Sequence, residues 1–212
     1  MLSRENCNQN REQVRYEVHL GGDQGLPSTK TFWYHLLTSF LGDVGVVWQS
    51  ERDTPSIVSV VLPRTDIATA DRIRANHPNA AERSHTKLKE TCDKIATFLE
   101  GTRVDFSMRC VEIDRCRGFQ KRVLLETMRI PWGRVTSYGA LAEAIHAPGA
   151  ARAVGSALAQ NPFPLIIPCH RVVKSDGHAG QFGGGREMKK ALLSLEGVEI
   201  DDRGRIGPAF FR

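Results

Sequence analysis

Between residues 31 and 62 the chain alternates short apolar runs with polar turns. The runs at 32–34, 44–48 and 57–62 are rich in β-branched and aromatic residues. Such residues suit the pleated, half-buried surface of a strand. The pattern therefore predicts three strands of a small antiparallel sheet.

The period of the apolar positions changes between residues 79 and 100. There, apolar residues recur at helical spacing among charged ones, which predicts one amphipathic helix that ends before Gly101. A further short strand is predicted over 103–108. Residues 110–122 then turn basic and polar, as is typical of a linker, and this places a domain boundary near residue 112.

The second half of the chain is predominantly helical in pattern. Residues 120–128 predict a helix that must stop before Pro131, because proline disfavours the helical conformation of the residue preceding it. Ser137 can cap a helix over 138–146, and Pro148-Gly149 makes a short turn into a helix over 150–160. Two helices joined by a tight turn indicate a helix-turn-helix.

The second of these helices has almost no large side chains on its first turns. Small residues surround a single long one, Arg152; they are Ala150, Ala151, Ala153 and Gly155. Small side chains allow close packing against a neighbouring helix, but they also allow a helix to approach a DNA groove. We favour the DNA groove, because a lone arginine suits insertion into a base stack and serves no packing purpose.

One cysteine stands out for its neighbours. Cys169 follows an apolar, proline-bracketed run and precedes His170 and Arg171. A nucleophilic cysteine needs nearby donors or positive charge to hold it as a thiolate, whereas a structural one sits inert among apolar residues. These local residues leave both interpretations open, since Pro168-Cys169 could equally end a buried strand.

The composition limits the possible architectures and does not by itself indicate a function. At 212 residues and 41% apolar, the chain can form one large domain or two small ones. A net charge of +5 weakly favours an anionic partner. The five cysteines are an odd number without paired spacing, which argues against a disulfide framework. Cys7 and His19 have no specific ligand spacing, so we predict no essential metal.

The sequence also suggests a location. It contains no apolar stretch long enough for a signal peptide or a membrane span. We therefore expect a cytoplasmic, intracellular protein, nuclear if the organism is eukaryotic, with no membrane partner. Residues 1–26 are polar and glycine-containing, and we expect them to form a flexible lead-in.

Several motifs in order resemble the O6-alkylguanine-DNA alkyltransferase family. They lie at 118–120, 130–133, 136–139, 150–155, 161–162, 168–172, 183–185 and 192–197. The resemblance implies an α/β (α+β) protein of two domains. A ribonuclease-H-like sheet-and-helix domain would span 27–112, and a winged-helix-like domain with the helix-turn-helix would span 113–212.

The same resemblance implies a reaction. The alkyl group of O6-alkylguanine in duplex DNA, and more weakly that of O4-alkylthymine, would move irreversibly to Cys169 after base flipping. Each molecule would act once, as a monomer and without a cofactor. His170 would serve through a water molecule as the base for Cys169, and Glu196 would fix the imidazole tautomer. Tyr138 would donate toward the departing guanine, and Asn161 would hold the turn beside the thiol.

Binding residues follow from the resemblance as well. DNA contacts are expected from Arg152, Ala150, Ala151, Ala153, Gly155 and Arg171. The substrate pocket is expected to include Tyr138, Cys169, Val172, Phe182, Gly183 and Gly184. Phe182 stands where a tyrosine is common and Gly183 where a serine is common, so hydroxyl contacts to the base from these positions would be absent.

Other functional classes remain to be weighed. A protein that only binds alkylguanine and recruits repair factors is the main alternative, although such relatives replace the nucleophile that this chain retains as Cys169. A cysteine hydrolase would leave the helix-turn-helix and Arg152 unexplained. A nucleotide-triphosphate site is excluded, because the glycines at 183–185 lack the Gly-Lys-Ser/Thr ending of a phosphate-binding loop.

Overall fold

The structure, a computed structural model, describes residues 31–212. The predicted lead-in over 1–26, with Cys7 and His19, lies outside these residues. The described chain contains a four-stranded sheet, a two-stranded sheet and six α-helices, which confirms a mixed α and β architecture. Within 31–212, no helix is long and apolar enough to cross a membrane.

The larger sheet occupies the first part of the described chain. Its strands are β1 (Phe32–Leu37), β2 (Val44–Glu51), β3 (Thr54–Val61) and β4 (Ala81–Glu82). Their order is β3-β2-β1-β4, in which β2 pairs antiparallel with both β1 and β3, and β4 lies parallel to β1. The three strands predicted from the apolar runs are confirmed.

Two helices accompany this sheet, α1 (Thr69–Asn76) and α2 (Lys89–Leu99). The predicted helix over 79–100 is right only in its second half. Its first residues pair with β1 as β4, and a 3-10 turn at Thr86–Leu88 follows, because backbone pairing at the open sheet edge overrides the helical pattern. Helix α1 was not predicted from the sequence; it buries only Thr69 and Ile73.

The strand predicted over 103–108 is wrong. Residues 103–107 have no regular structure, and the chain reaches the sheet only where Val111 bridges Ile57. The Ile57 N–H donates to the Cys110 carbonyl at 2.6 Å, and the Glu112 N–H donates to the Ile57 carbonyl at 3.0 Å. The edge of β3 is thus closed by the segment that was predicted to be a linker.

Four helices follow, α3 (Gly118–Thr127), α4 (Tyr138–Ala144), α5 (Ala151–Ala159) and α6 (Arg186–Leu195). The predicted helices over 120–128, 138–146 and 150–160 are confirmed to within about two residues, the usual precision of a helix end. Ser137 caps α4 as expected, since its Oγ accepts the Ala140 N–H at 3.0 Å. Short strands β5 (Thr136–Ser137) and β6 (Val172–Val173) pair in parallel.

The apolar core runs through both halves of the described chain. One cluster joins side chains from β2, β3 and α2 to side chains from α3 to α6, including Trp48, Ile57, Ile95, Phe98, Leu124, Leu141, Phe163, Ile167 and Leu192. A backbone bond also joins the halves, from the Val60 N–H on β3 to the Pro162 carbonyl at 2.7 Å. The sheet therefore anchors the segment that leads to Cys169.

Candidate functional site

Cys169 begins a 3-10 turn that continues through His170 and Arg171 into β6. The sequence left open that Pro168-Cys169 ends a buried strand, and the structure has a 3-10 turn here instead. Pro164 and Pro168 have no N–H to donate to a ladder, and Leu165 has a φ of 73°, which breaks any extended run. The turn, rather than a strand, sets where the thiol and the imidazole lie.

The Cys169 thiol is buried, with 7% of the residue exposed. The Asn161 side chain holds it: Nδ2 donates to Sγ at 3.2 Å and to the Ile167 carbonyl at 3.1 Å, while Oδ1 accepts the Phe163 N–H at 2.9 Å. Burial raises the pKa of Cys169, and the Asn161 hydrogen bond and the Lys189 charge oppose that rise. Asn161 lies where the family resemblance places it.

His170 and Glu196 form a fully buried pair. His170 Nε2 lies 2.7 Å from Glu196 Oε1, and both side chains have no exposed surface. Because a carboxylate accepts, Nε2 carries the proton in the neutral ring and Nδ1 is left as an acceptor. Nδ1 is buried without a partner in the described chain. Burial lowers the pKa of His170 more than the contact with Glu196 raises it, so the ring is held neutral.

Arg171 completes this cluster from the inside of the protein. Its Nε lies 2.8 Å from Glu196 Oε2 and its Nη2 2.9 Å from Oε1, while Nη1 donates to the Ile130 carbonyl at 2.6 Å. Burial alone would raise the pKa of Glu196, but its contacts with His170 and Arg171 outweigh burial and lower it. The prediction that Arg171 contacts DNA is wrong, because its guanidinium points inward and is hydrogen-bonded to Glu196.

Lys189 is a site residue that the sequence reasoning missed. It is fully buried on α6, and its Nζ donates to the Val172 carbonyl at 2.6 Å and the Gln181 carbonyl at 3.4 Å. Burial lowers its pKa to about 8, opposed by the charge of Cys169. The available signal was periodicity, because Lys189 shares the buried face of α6 with Leu192, Leu193 and Glu196.

The other described cysteines lack these surroundings. Burial raises the pKa of Cys92 to about 11, and burial likewise raises the pKa of Cys116. Neither has a side-chain amide donor like the one that Asn161 provides. Within residues 31–212, no group of three or more His, Cys, Asp or Glu side chains is placed to hold a metal ion. Among the described thiols, Cys169 alone accepts a hydrogen bond from a side-chain amide.

A cavity of about 170 Å³ opens onto the thiol. Four predicted pocket residues line it, Tyr138, Cys169, Phe182 and Gly183, together with Gly155, Leu158, Ala159 and Gln181. A Cβ at Gly155 would lie 3.9 Å from the Tyr138 ring, so this glycine helps to shape the pocket. Its expected contact with DNA stays a prediction.

Two predicted pocket residues lie outside this lining. Val172 is fully buried, and its carbonyl is taken by Lys189. Gly184 lines a separate, wider groove and lies directly against the Met188 side chain. A contact of either residue with the substrate base stays a prediction.

Helix α5 presents Arg152 at the surface beside this pocket. Arg152 and Ala153 are exposed, whereas Val154, Ala157 and Leu158 are buried on the opposite face. In the described part of the chain, the Arg152 side chain has no ion pair and no hydrogen bond. Ala150 and Ala151 are partly exposed. The predicted arrangement of one projecting arginine on a face of small residues is present.

Comparison with known proteins identifies the family of this chain. Residues 118–198 match the family described as 6-O-methylguanine DNA methyltransferase, DNA binding domain. The methylated-DNA–protein-cysteine methyltransferase of Methanothermobacter thermautotrophicus is 43% identical over 159 residues, which cover 75% of this chain and 82% of that protein. The chain belongs to the methylated-DNA–protein-cysteine methyltransferase family.

Solved structures of this methyltransferase family resemble most of the described fold. The crystal structure of Mycobacterium tuberculosis O6-methylguanine methyltransferase matches with a TM-score of 0.63 at 29% identity, over 78% of this chain and 93% of that one. The Mycobacterium tuberculosis OGT in complex with DNA matches with a TM-score of 0.60 at 29% identity, over 77% and 92% of the two chains. The likeness therefore extends beyond the matched residues 118–198 into the sheet.

Proposed function

We propose that this chain repairs DNA by direct reversal, moving an alkyl group from O6 of guanine, and more weakly from O4 of thymine, onto Cys169 Sγ. The observation that carries the proposal is the placement of a buried thiol, bonded to Asn161, at the wall of a cavity beside a DNA-binding helix pair. The names of its relatives support the same activity. Because no step regenerates the thiol, each molecule acts once.

The proposed chemistry starts with removal of the thiol proton. A water molecule between Cys169 Sγ and His170 Nδ1 would carry that proton to the imidazole, whose positive charge Glu196 then stabilises. The thiolate attacks the alkyl carbon, an S–C bond forms, and the C–O6 bond breaks with its electron pair going to guanine. The family role of His170 and Glu196 fits their 2.7 Å contact.

The departing guanine needs a proton or a strong donor. We assign this to Tyr138, which lines the cavity opposite Cys169. Burial, and secondarily the charge of Cys169, raise the pKa of Tyr138, so the phenol remains a donor at neutral pH. Lys189 lies with its Nζ 5.7 Å from the Tyr138 ring centre and adds positive charge next to the thiolate.

The target base must leave the duplex to reach this cavity, because O6 is inaccessible to a nucleophile within the stack. Arg152 on α5 would fill the space it leaves, and the small residues Ala150, Ala151 and Ala153 would let the helix lie close to the DNA. Binding should depend on salt and not on sequence, because phosphates are contacted and the target is a chemical lesion.

We also propose the finer architecture that the resemblance implies. The four-stranded sheet and α2 would form a ribonuclease-H-like domain within residues 27–112. Residues 113–212, with α4, α5 and the β5–β6 pair, would form a winged-helix-like domain that carries the reaction. The chain would act on DNA as a monomer. All pocket residues around Cys169 belong to the second segment, which supports this division.

The test is the intact mass of the protein after incubation with duplex DNA that contains O6-methylguanine, followed by peptide mapping. We expect one added methyl group, located on Cys169. Cys169→Ala should bind the same DNA with no gain in mass, and Cys92→Ala should react like the wild type. Tight binding with unchanged wild-type mass would instead indicate a lesion-binding protein, and a methyl group on Cys110 or Cys116 would overturn the assignment of the acceptor.

A further inference from the structure

A second cavity, of about 260 Å³, is polar and includes Gly180 in its lining. Its lining includes the cations Lys174, Arg186, Lys190 and Arg203, with His178 and a single carboxylate, Asp176. We call the surface formed by Lys174, Arg186 and Arg203 the cationic cleft. The transfer chemistry uses none of these side chains.

Two turns and a helix present these cations, and hydrogen bonds fix the turns. After β6 the Lys174 N–H donates to the His178 carbonyl at 2.9 Å. Asp201 Oδ1 accepts the N–H groups of Arg203 at 2.9 Å and Arg205 at 2.7 Å. The two turns are tied together by the Ile206 N–H, which donates to the Gly177 carbonyl at 2.9 Å. The cleft is thus built on an ordered backbone.

The positive charge in the cleft is not neutralised from within. Asp176 pairs with His178 at 3.2 Å, and Lys190 pairs with Glu187 at 3.0 Å. Among the residues with described side chains, none forms an ion pair or hydrogen bond with the charged groups of Lys174, Arg186 or Arg203. Asp176 interacts electrostatically with Lys174, so three cations converge on one cavity that holds a single carboxylate.

Arg186 occupies a position at which a positive charge is electrostatically unfavourable. It is the first residue of α6, where the helix dipole is positive, and Gly185 before it offers no side-chain cap. A cation at this end is unfavourable by itself, whereas an anion bound there is favoured. A rule broken locally, with no compensating contact inside the protein, is typical of a functional position.

The cleft is next to the cavity that would take the flipped base. A Cβ on Gly180 would lie 3.3 Å from Tyr138 Oη and 3.7 Å from Lys174 Cγ, so a single backbone residue separates the two sites. The phosphates that flank a nucleotide seated beside Tyr138 must remain outside the cavity mouth.

We propose that the cationic cleft binds backbone phosphates of the DNA strand that carries the flipped nucleotide. The inference rests on the proposed function and extends the DNA contact beyond α4 and α5. Phosphate contacts of this kind hold the strand in register without reading its sequence. The cleft would raise affinity for duplex DNA and leave the reactivity of the thiol unaltered.

The test is the double variant Arg186→Ala/Arg203→Ala in the full chain, with Arg52→Ala/Arg103→Ala as the matched control. We expect the double variant to react about tenfold or more slowly with limiting O6-methylguanine duplex at low salt. Its slope of log affinity for unmodified duplex against log salt should fall by about 2, roughly one unit for each lost phosphate contact. Its rate with free O6-benzylguanine should equal that of the wild type.

The outcomes separate this inference from the function on which it rests. A wild type that takes up no methyl group contradicts the proposed function itself. A reactive wild type whose double variant keeps the same salt slope and duplex rate overturns only the cleft. The melting temperature of the double variant should be unchanged or slightly higher, because Arg186→Ala removes a cation from a helix start. If the double variant is much less stable than the wild type, the single variant Arg203→Gln is tested with the same readouts.

Inorganic pyrophosphate distinguishes DNA phosphate from a free anion. We expect it to compete with duplex DNA for the wild type and to compete less well for the double variant. If pyrophosphate instead raises the melting temperature of the wild type alone, while the two proteins bind DNA equally, the cleft is a site for a free anion and the DNA assignment is overturned.

Discussion

The interior under the four-stranded sheet and the interior around Cys169 differ in the kinds of side chain that they bury. Beneath the sheet, the buried side chains of β2, β3 and α2 are apolar apart from Gln49. Around Cys169 the protein buries three charged or ionisable groups next to one another, His170, Arg171 and Glu196, and a fourth, Lys189, nearby. Both regions belong to one continuous apolar cluster.

The difference teaches what each region is for. Burying a charge costs free energy that a hydrogen-bonded partner only offsets, and a well-packed apolar group of the same shape is often as stable. The apolar interior follows from stability alone. The polar interior does not, so its retention reflects the chemistry of the thiol. The Val60–Pro162 backbone bond then lets the stable region hold the reactive one in place.

The largest contrast should come from Glu196→Gln. It leaves Arg171 buried without its counter-charge, which costs about 3–5 kcal/mol of unfolding free energy, and it removes the group that stabilises His170 as a cation. Denaturant unfolding and single-turnover transfer rates measure the two effects. Ile95→Val in the apolar interior is the control, with an expected cost of about 0.5–1.5 kcal/mol. Equal costs for the two would break the comparison.

The loss of stability caused by Glu196→Gln should also depend on pH. Because contacts in the folded protein lower the pKa of Glu196, its stabilisation is present above the unfolded pKa of about 4.3 and is lost as pH falls through the lower, folded value. The difference in stability between wild type and Glu196→Gln should shrink on acidification. A difference that grows as pH falls would contradict the lowered pKa.

Arg152→Ala tests the same contrast at the surface. Arg64 is paired with Asp66 at 2.9 Å, whereas Arg152 has no partner among the described side chains. Loss of the group that replaces the flipped base should slow repair in duplex by about 10- to 100-fold, because unstacking costs a few kcal/mol. Reaction with free O6-benzylguanine should be unchanged, as should both rates in Arg64→Ala. Equal losses on the two substrates would exclude a base-flipping role.

Lys189→Met sharpens the comparison through a single buried cation. With a folded pKa of about 8 and an unfolded value near 10.4, Lys189 releases its proton in the folded state first. Between these values the unfolded chain binds more protons, so wild-type stability should rise relative to Lys189→Met by up to about 1.4 kcal/mol per pH unit. Urea unfolding from pH 7 to 10.5 measures this. Lys189→Arg, which keeps its charge, should not show that rise.

The smallest effect is expected at the Lys89–Asp93 pair on α2. The two charges lie 2.6 Å apart, closer than Arg171 and Glu196, but both side chains are mostly exposed. Asp93→Asn should change the unfolding free energy by no more than about 0.5 kcal/mol. The same melt as for Glu196→Gln provides the measurement. A cost above about 2 kcal/mol would show that proximity, rather than burial, decides the value of an ion pair here.

The sequence by itself determined the elements whose signals are local. The alternation of apolar runs predicts β1 to β3, the Ser137 cap and the Pro148-Gly149 turn predict α4 and α5, and the ordered motifs around Cys169 identify the reaction centre. These features depend on side chains within one or two turns of each other, so a linear pattern contains them.

Only the tertiary structure decided the direction and the partners of the charged residues. Arg171 turns inward because Ile130 and Glu196, 41 and 25 residues away along the chain, meet it there. Lys189 is buried because the carbonyls of Val172 and Gln181 accept its ammonium. Residues 81–82 become a strand because β1 leaves an open edge. Whether a charge is buried or exposed depends on groups that folding brings from distant segments, and no local pattern contains that information.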